Sequence, residues 1–460
     1  MRHRGKIFRA ILIPCFLLVA VLAGAETICP GLEHHLMLKG EDSSSIGYRV
    51  FVGVYERQSE TAATLDRLKQ CGIVGVPQSE GHEYWVVTPS VVDRKEAEAT
   101  GRRLVECGFP DSLEIQEVQA DAAAAGGPWR IDVLVVDPKK IDVRVAHSMD
   151  AAIGLETTLE LAVRKGALAA INGGYYRMKG LLAGDSQGAL QIDGALLSEP
   201  DRGRGAVGFY EEDGTTQAIF GRLSFEGKVV FENGTRVVID GINRPRKASE
   251  IVLFTPEFHR TTLTSSGGAE VVIHDRRITD IHQGEGSTEI PCGGVVLSIG
   301  GERFQELAPR LRVGAEVLID VDSIPLLPDP EGLWDQSQFI LGGGPLMLWN
   351  GERLEEPQKE SMSTVFFKAR HPRTAVGVRA DGTLIFVTVD GRRPGVSVGM
   401  SIPELTDLMM ELGCVSAVNL DGGGSTTMVI EGEIVNAPTD SGGARHNGDA
   451  ILLFSKGGTP

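Results

Sequence analysis

Residues 415 to 428 read Val-Ser-Ala-Val-Asn-Leu-Asp-Gly-Gly-Gly-Ser-Thr-Thr-Met. Val415 to Val418 is a short apolar strand, and the run Ile402 to Leu412 ahead of it has a helical pattern. Asp421 therefore stands just past a strand end, between Asn419 and three glycines. Gly422, Gly423 and Gly424 have no Cβ, so a ligand can approach the backbone and amides can turn toward an anion. Ser425, Thr426 and Thr427 add hydroxyls. Such a string suits a site that holds sugar and phosphate beside an acid. A tight turn between two strands uses the same residue types.

Working outward, the same grammar recurs. Ala169-Ala-Ile-Asn-Gly-Gly-Tyr-Tyr delivers Asn172 from a buried strand to a glycine turn, Gly173-Gly174. There Asn172 either bonds sugar hydroxyls or satisfies turn backbone. Phe339-Ile-Leu-Gly-Gly-Gly-Pro sets Gly343 and Gly344 after another strand start. His371-Pro-Arg-Thr places Arg373 and Thr374 ahead of a strand. Leu384 to Val389 then leads into Asp390. A guanidinium makes bidentate bonds to phosphate, so Arg373 is a candidate clamp, with a structural ion pair as the other use. Asp185, in Ala183-Gly-Asp-Ser, is a weaker candidate.

The chain has 58 glycines, and many fall between apolar runs after residue 128, which favours short strands and turns over a helical bundle. Residues 1–25 have the pattern of a secretory signal: Arg2, Arg4, Lys6 and Arg9, an apolar run Ile11 to Leu22, then Ala23-Gly-Ala. This predicts export to the periplasm or cell envelope of a bacterium. Residues 26–45 are expected to be a linker, 46–119 a compact domain, 120–128 a second linker, and 129–458 one large domain. The net charge is −17, and loss of the four basic residues of the signal makes it −21. So acidic a chain argues against nucleic acid as a partner. With Cys15 in the signal, Cys29, Cys71, Cys107, Cys292 and Cys414 remain, and no CxxC or HExxH spacing points to zinc.

The compact domain reads strand, helix, strand twice over. Tyr48 to Val52 and Tyr84 to Val87 are strands, Thr61 to Gln70 and Arg94 to Glu106 are helices, and Ser112 to Val118 closes the unit. The expected fold is a βαββαβ-type four-stranded sheet with both helices on one face. Cys71 and Cys107 then lie side by side at equivalent helix ends, as a disulfide or as two separate thiols. Tyr48-Arg-Val-Phe-Val-Gly-Val-Tyr and Leu65-Asp-Arg-Leu-Lys-Gln-Cys-Gly resemble the SPOR family, with a departure at Thr88-Pro-Ser. That resemblance implies binding of peptidoglycan glycan strands through the open sheet face.

The large domain resembles the phosphodiester glycosidase family. The matching strings are Ile171-Asn-Gly-Gly-Tyr-Tyr, Gly342-Gly-Gly-Pro, Arg373-Thr-Ala-Val-Gly, Val389-Asp-Gly-Arg, Asn419 to Met428, Val435-Asn-Ala-Pro and Arg445, in family order. The segment from Asn243-Arg-Pro-Arg through Leu253-Phe-Thr-Pro to Leu311-Arg-Val-Gly is similar to longer bacterial members. The resemblance implies a strand-rich mixed α+β catalytic domain that cleaves a sugar from a phosphodiester at its anomeric carbon. Two carboxylates usually serve glycosidic cleavage, which assigns Asp421 and Asp390. Arg373 would hold phosphate with Thr374, Ser425 and Thr426 nearby. The glycine turns would offer amides, and Asn172 and Asn419 would contact the sugar. No cofactor is required. Asp421, Asp390, Asn419 and Asn172 nonetheless offer oxygens that suit a divalent cation. The competing reading is a non-catalytic glycan-binding or exopolysaccharide-assembly protein. A P–O phosphodiesterase would instead call for a His- and Asp-rich metal cluster. Oligomeric state is not legible in the sequence.

Overall fold

The computed structural model describes residues 21–40, 46–55, 57–80, 83–89, 91, 94–110, 113–119, 127–201, 203–354, 356–393 and 395–457. The expected signal lies outside the described residues as far as residue 20, and the linker at 120–128 does so as far as residue 126. Among the described residues no helix is long and apolar enough to cross a membrane. Two compact units form, one over residues 38–128 and one over residues 22–37 with 129–457.

The smaller unit is an antiparallel four-stranded sheet in the order Val76–Glu80, Glu83–Val87, Ile46–Tyr55, Glu114–Gln119. The helices Thr61–Gln70 and Arg94–Glu106 fall where their apolar spacing puts them. Leu68 and Leu104 share one core with Val50 and Val86 of the sheet, so both helices cover the same face. The alternate residues Phe51 and Trp85 meet edge to face at 5.2 Å, on the face the helices leave open. The helix ends are tied crosswise, since Arg67 Nη2 donates to the Gly108 carbonyl at 3.1 Å. Cys71 and Cys107 meet there as free thiols. Their mutual hydrogen bond is the main reason that the Cys71 thiol titrates above its ordinary range.

The larger unit is strand-rich mixed α+β, as expected. Its main sheet runs Val21–Cys29, Leu32–Lys39, Trp129–Val136, Leu384–Val389, Arg373–Arg379, Cys414–Asn419, Leu346–Trp349, Glu352–Arg353. Residues 26–45 are thus not simply a linker. The strand Leu32–Lys39 from this region and the strand Val21–Cys29, which begins within the expected signal, extend the sheet at one side, Leu32 is fully buried, and His34 Nε2 lies 2.9 Å from Asp132. The consecutive polar residues Glu33, His34 and His35 between Leu32 and Leu36 disguise the strand as irregular chain.

A second sheet, Glu433–Ile434, Met428–Ile430, Ala169–Asn172, Asp449–Ser455, Ile141–His147, packs on the first. Ile171, Met428, Ile451 and Val143 share a core with Leu134, Val376, Phe386 and Val418. The outer face of the main sheet is covered by the helix Ile402–Glu411 through Ile402, Leu405, Leu408 and Met409. Ser401 and Glu404 form a capping box that starts this helix, and Pro403 sits in its first turn. The 17-residue strand Thr215–Phe231 belongs to a third, seven-stranded sheet, and through Val229 and Phe231 its far end shares a core with a fourth sheet that includes Ile251–Phe254, Gly268–His274 and Gly294–Gly300. The ends of the first two sheets converge on the segments singled out by sequence.

Candidate active site

Asp421 is held first by its backbone. Its amide donates to the Gly173 carbonyl at 3.1 Å, and its carbonyl accepts from Asn172 Nδ2 at 2.8 Å. Asn172 Oδ1 in turn accepts from Thr374 Oγ1 at 2.7 Å and from the Thr427 amide at 3.1 Å. Asn172 and Thr374 are both buried. Three segments far apart in sequence are thereby locked together, and the side chain of Asn172 is fully used. Its work is to position Asp421, which corrects the expected sugar contact.

The Asp421 side chain is partly buried. Oδ1 accepts from the Gly422 amide at 2.9 Å. Burial pushes its carboxyl up to about 6; the Ser425 hydroxyl, the Gly422 amide and Arg445 pull it down, and the charge of Asp449 adds to the rise. Tyr176 lies alongside, and its hydroxyl donates to the His446 carbonyl at 2.7 Å. Burial raises the pKa of Tyr176, against a hydrogen bond to Ser425. Arg445 grips Asp440 through Nε at 2.7 Å and Nη2 at 3.0 Å, and its Nη1 reaches Ser425 Oγ at 3.5 Å. Arg392 is exposed and crosses the loop at Gly423, where an added Cβ would lie 3.0 Å from its Nη2. Asp421 thus has hydroxyls on one side and two guanidiniums at the rim of its loop.

The glycines serve mainly to let loops touch. A Cβ on Gly174 would meet the Gly342 carbonyl at 2.4 Å, one on Gly343 the Asn419 carbonyl at 2.4 Å, and one on Gly422 the Pro372 carbonyl at 2.7 Å. On Gly424 it would strike Asp440 Oδ1 at 2.1 Å. The amides of Gly173, Gly174, Gly343, Gly344, Gly422 and Gly423 all donate within the protein. They are therefore engaged and not waiting for substrate.

Asp390 sits in a buried charge network that Asn436 links to the Thr426 carbonyl of the Asp421 loop. Oδ2 accepts from Arg130 Nη1 at 3.0 Å, and Oδ1 accepts from Asn436 Nδ2 at 3.2 Å and from the Ala437 amide at 2.9 Å. Arg130 also binds Asp132 at 2.6 Å, and Asp132 meets His34. Burial raises the Asp132 carboxyl, and His34 and Arg130 oppose that rise. Both oxygens of Asp390 are taken and its side chain is inaccessible, so this geometry anchors the segment Val435 to Ala437.

Arg373 is held through Nε and Nη2, and no protein partner takes its Nη1 among the described residues. Nε donates to the Met400 carbonyl at 2.8 Å, and Nη2 donates to the Phe366 and Ala369 carbonyls at 3.1 and 2.8 Å. It closes the C-terminal end of the short helix Thr364–Lys368, with its guanidinium 4.7 Å from the Phe366 ring centroid. Burial lowers it to about 10. Asn419 Nδ2 donates to the Gly344 carbonyl at 2.8 Å and to Tyr175 Oη at 3.1 Å, which ties two glycine loops together. Ser425 is buried against Asp421, whereas Thr426 is buried with its hydroxyl unpartnered among the described residues. Asp185 pairs with Arg177 at 2.9 Å, and burial raises it to about 6.

The oxygens offered for a divalent cation are engaged in part, although Asn419 Oδ1 has no partner among the described residues. Those of Asn172 and Asp390 already accept from protein donors, and Asp390 belongs to a different cluster. Among the described residues no group of three His, Cys, Asp or Glu side chains is arranged to hold a metal ion.

Residues 267–454 match the family model of the phosphodiester glycosidases. The chain is 40% identical over 86 residues to the SPbeta prophage-derived uncharacterized protein YomE of Bacillus subtilis, which is 18% of this chain and 13% of that protein. It is 35% identical over 86 residues to N-acetylglucosamine-1-phosphodiester alpha-N-acetylglucosaminidase of Bos taurus, 19% of this chain and 16% of that one. The matches therefore span less than a fifth of either relative. In structure the chain is similar to a putative exported protein of Burkholderia pseudomallei, with a TM-score of 0.72, 24% identity, and 98% and 100% of the two chains covered. A hypothetical protein from Synechocystis follows at TM-score 0.62 and 20% identity, over 95% and 81%. These two likenesses establish a shared fold.

The segment that matches the family model contains Arg373, Asp390, Asp421, Arg445 and Asp449, while Asn172, Tyr175 and Tyr176 precede it. The site thus draws on chain outside the matched segment. Sequence reading missed Asp449, Tyr176, Ser186, Arg130 and Arg392 as site residues. Arg392 stood in a quoted motif, next but one to Asp390. Asp449 and Arg130 begin or lie in strands, where nothing local marks a buried charge.

Proposed function

We propose that this chain hydrolyses the glycosidic bond of sugar-1-phosphodiesters. The observation that carries the reading is Asp421: a carboxyl raised to about 6, flanked by hydroxyls and guanidiniums, inside the matched segment. Above that pH the carboxylate can take a proton from water as the water oxygen bonds to the anomeric carbon. The bond from that carbon to the phosphate oxygen breaks, and the phosphate leaves already ionised. The proton passes from Asp421 to solvent. Arg445 and Arg392 offset the charge of the departing phosphate, the task first given to Arg373. Asp390 supports the site from behind.

The bovine relative's name makes an N-acetylglucosamine-1-phosphodiester the first substrate to try. Purified chain incubated with N-acetylglucosamine-α-1-phospho-methyl ester should release free sugar and methyl phosphate by proton and phosphorus NMR, and Asp421→Ala should abolish release. Sugar 1-phosphate with methanol would mean P–O cleavage instead. Binding without turnover would support the glycan-binding alternative.

Export and a peptidoglycan tether complete the proposal. Residues 1–25 support export, and the open-face pair Phe51 and Trp85 suits stacking on a glycan. Cosedimentation with denuded peptidoglycan, lost in Trp85→Ala, is the check.

A further inference from the structure

Tyr175 and Tyr176 are neighbours in sequence, yet they serve the two ends of the Asp421 loop. Tyr176 Oη donates to the His446 carbonyl at 2.7 Å, next to Arg445, whose Nη1 reaches Ser425 Oγ at 3.5 Å. Tyr175 Oη donates to the Gly344 carbonyl at 2.9 Å and accepts from Asn419 Nδ2 at 3.1 Å. Arg204 joins this second end. Its guanidinium carbon stands 5.6 Å from the centroid of the Tyr175 ring. An added Cβ on Gly344 would lie 3.6 Å from Arg204 Cβ. Arg204 immediately precedes the strand Gly205–Glu212, and the Gly343 amide donates to the Gly205 carbonyl at 2.8 Å. The third sheet thus delivers Arg204 to the Gly343–Gly344 turn. It lies outside the segment that matches the family model, and none of the motifs read from the sequence contains it.

The protein leaves Arg204 underused. Its Nε is buried and has no partner among the described residues. Asn419 Oδ1, at the same end of the loop, is likewise buried without a partner among the described residues. The ion pair of Arg204 with Asp201 is at 3.4 Å between partly exposed side chains, a weak pair that an incoming anion can displace. Glu360, the buried acid at the same turn, is committed to Arg222 at 3.1 Å and to the amides of Gly205 and Leu346 at 2.9 and 3.0 Å. A cation–π contact with Tyr175 uses the charge of the guanidinium and leaves the donors of its fork unspent. A phosphodiester carries one negative charge, and Arg392 and Arg445, at the Gly423–Ser425 end, already meet it. Arg204, at the Asn419 end, has a charge of its own to meet.

We propose that Arg204 forms a second anion subsite at the Asn419 end of the Asp421 loop. The substrate is then a sugar-1-phosphodiester with a further anionic group, a phosphate or a carboxylate, on its aglycone or its sugar. Arg204 binds that group and takes no part in bond breaking. The inference rests on the hydrolase reading for the reaction, but the subsite is a matter of binding and is tested separately.

The test compares three esters on the full chain. The first is N-acetylglucosamine-α-1-phospho-methyl ester, with the phosphodiester charge alone. The second is the same sugar phosphate esterified with a propyl chain that ends in phosphate, which adds charge on the aglycone. The third is glucuronic acid-α-1-phospho-methyl ester, which adds charge on the sugar. At low salt, one of the charged esters should exceed the methyl ester in kcat/KM by about tenfold, through KM. Arg204→Gln should bring that ratio near one, Arg204→Lys should restore part of it, and added salt should shrink it in wild type. Ratios near one for both charged esters in wild type overturn the inference, as does a ratio that survives in Arg204→Gln. An equal loss for all three esters in Arg204→Gln also overturns it, since a purely structural Arg204 would give that result. If Arg204→Gln does not fold, the wild-type ratio and its salt dependence decide. If wild-type chain cleaves none of the esters, the hydrolase reading falls, and calorimetric binding of the same three esters decides the subsite by the same ratios.

Discussion

Asn172 Nδ2 donates to the main-chain carbonyl of Asp421 at 2.8 Å, across 249 positions of sequence. The same side chain accepts from Thr374 and Thr427. One buried amide therefore sets the relation between two sheets and the acid they carry.

Asn172→Ala should remove all of these bonds and strand buried donors. We expect a loss of about 2–4 kcal/mol in urea unfolding, from unsatisfied groups of about 1–3 kcal/mol each with partial relaxation. Because Asn172 does not face substrate, activity surviving in a milder Asn172→Ser variant should fall in kcat with KM nearly unchanged. A raised KM at constant kcat would return Asn172 to the sugar.

Asp421→Asn should abolish turnover and stabilise the fold. A carboxyl raised to about 6 makes the folded state hold more protons than the unfolded one between its ordinary range and that value. Its ionisation therefore costs stability as pH rises through that window. The variant should be more stable than wild type by about 1–3 kcal/mol at pH 7.5, and the gap should close below about pH 4. Thermal unfolding at the two pH values measures both.

Asp390→Asn separates anchoring from chemistry. Removing its charge leaves Arg130 inside the protein with one fewer partner, and breaking a buried pair costs about 3–5 kcal/mol, less where a second carboxylate such as Asp132 remains. Marked destabilisation with measurable residual turnover is expected. Full loss of turnover in a variant of wild-type stability would restore Asp390 as a catalytic carboxylate.

Gly424→Ala should damage the loop through space alone. The new methyl would meet Asp440 Oδ1 at 2.1 Å and Arg445 Nη2 at 2.2 Å. Displacing that pair should raise KM for the phosphodiester at least tenfold at a stability cost of about 1–3 kcal/mol. Gly442→Ala is the control, since nothing lies within 4 Å of its added Cβ.

Much was legible in the chain because local rules carried it. The helical pattern of Ile402 to Leu412 marks the helix that covers the main sheet. The continuous apolar run Leu384 to Val389 marks a central strand, and both helices of the small unit fall where their spacing puts them. Asp421 was visible because a carboxyl, three glycines and hydroxyls stand in one short run. The strand Leu32–Lys39, second from the sheet edge, was hidden, since its apolar residues do not alternate and such a strand is recognised only by what it pairs with.

The sequence by itself determined the elements, the strand-rich class and the motifs that meet at Asp421. The tertiary structure alone decided what each motif residue does. Arg373 and Asp390 carry suitable chemistry, yet Nε and Nη2 of the one and both oxygens of the other are engaged by Met400, Phe366, Ala369, Arg130 and Asn436, partners remote or unmarked in sequence. Asp449 carries no local mark, yet strand pairing sets it against the turn that holds Asp421. A side chain's type states which bonds it can make, and only packing settles which of those bonds are already made.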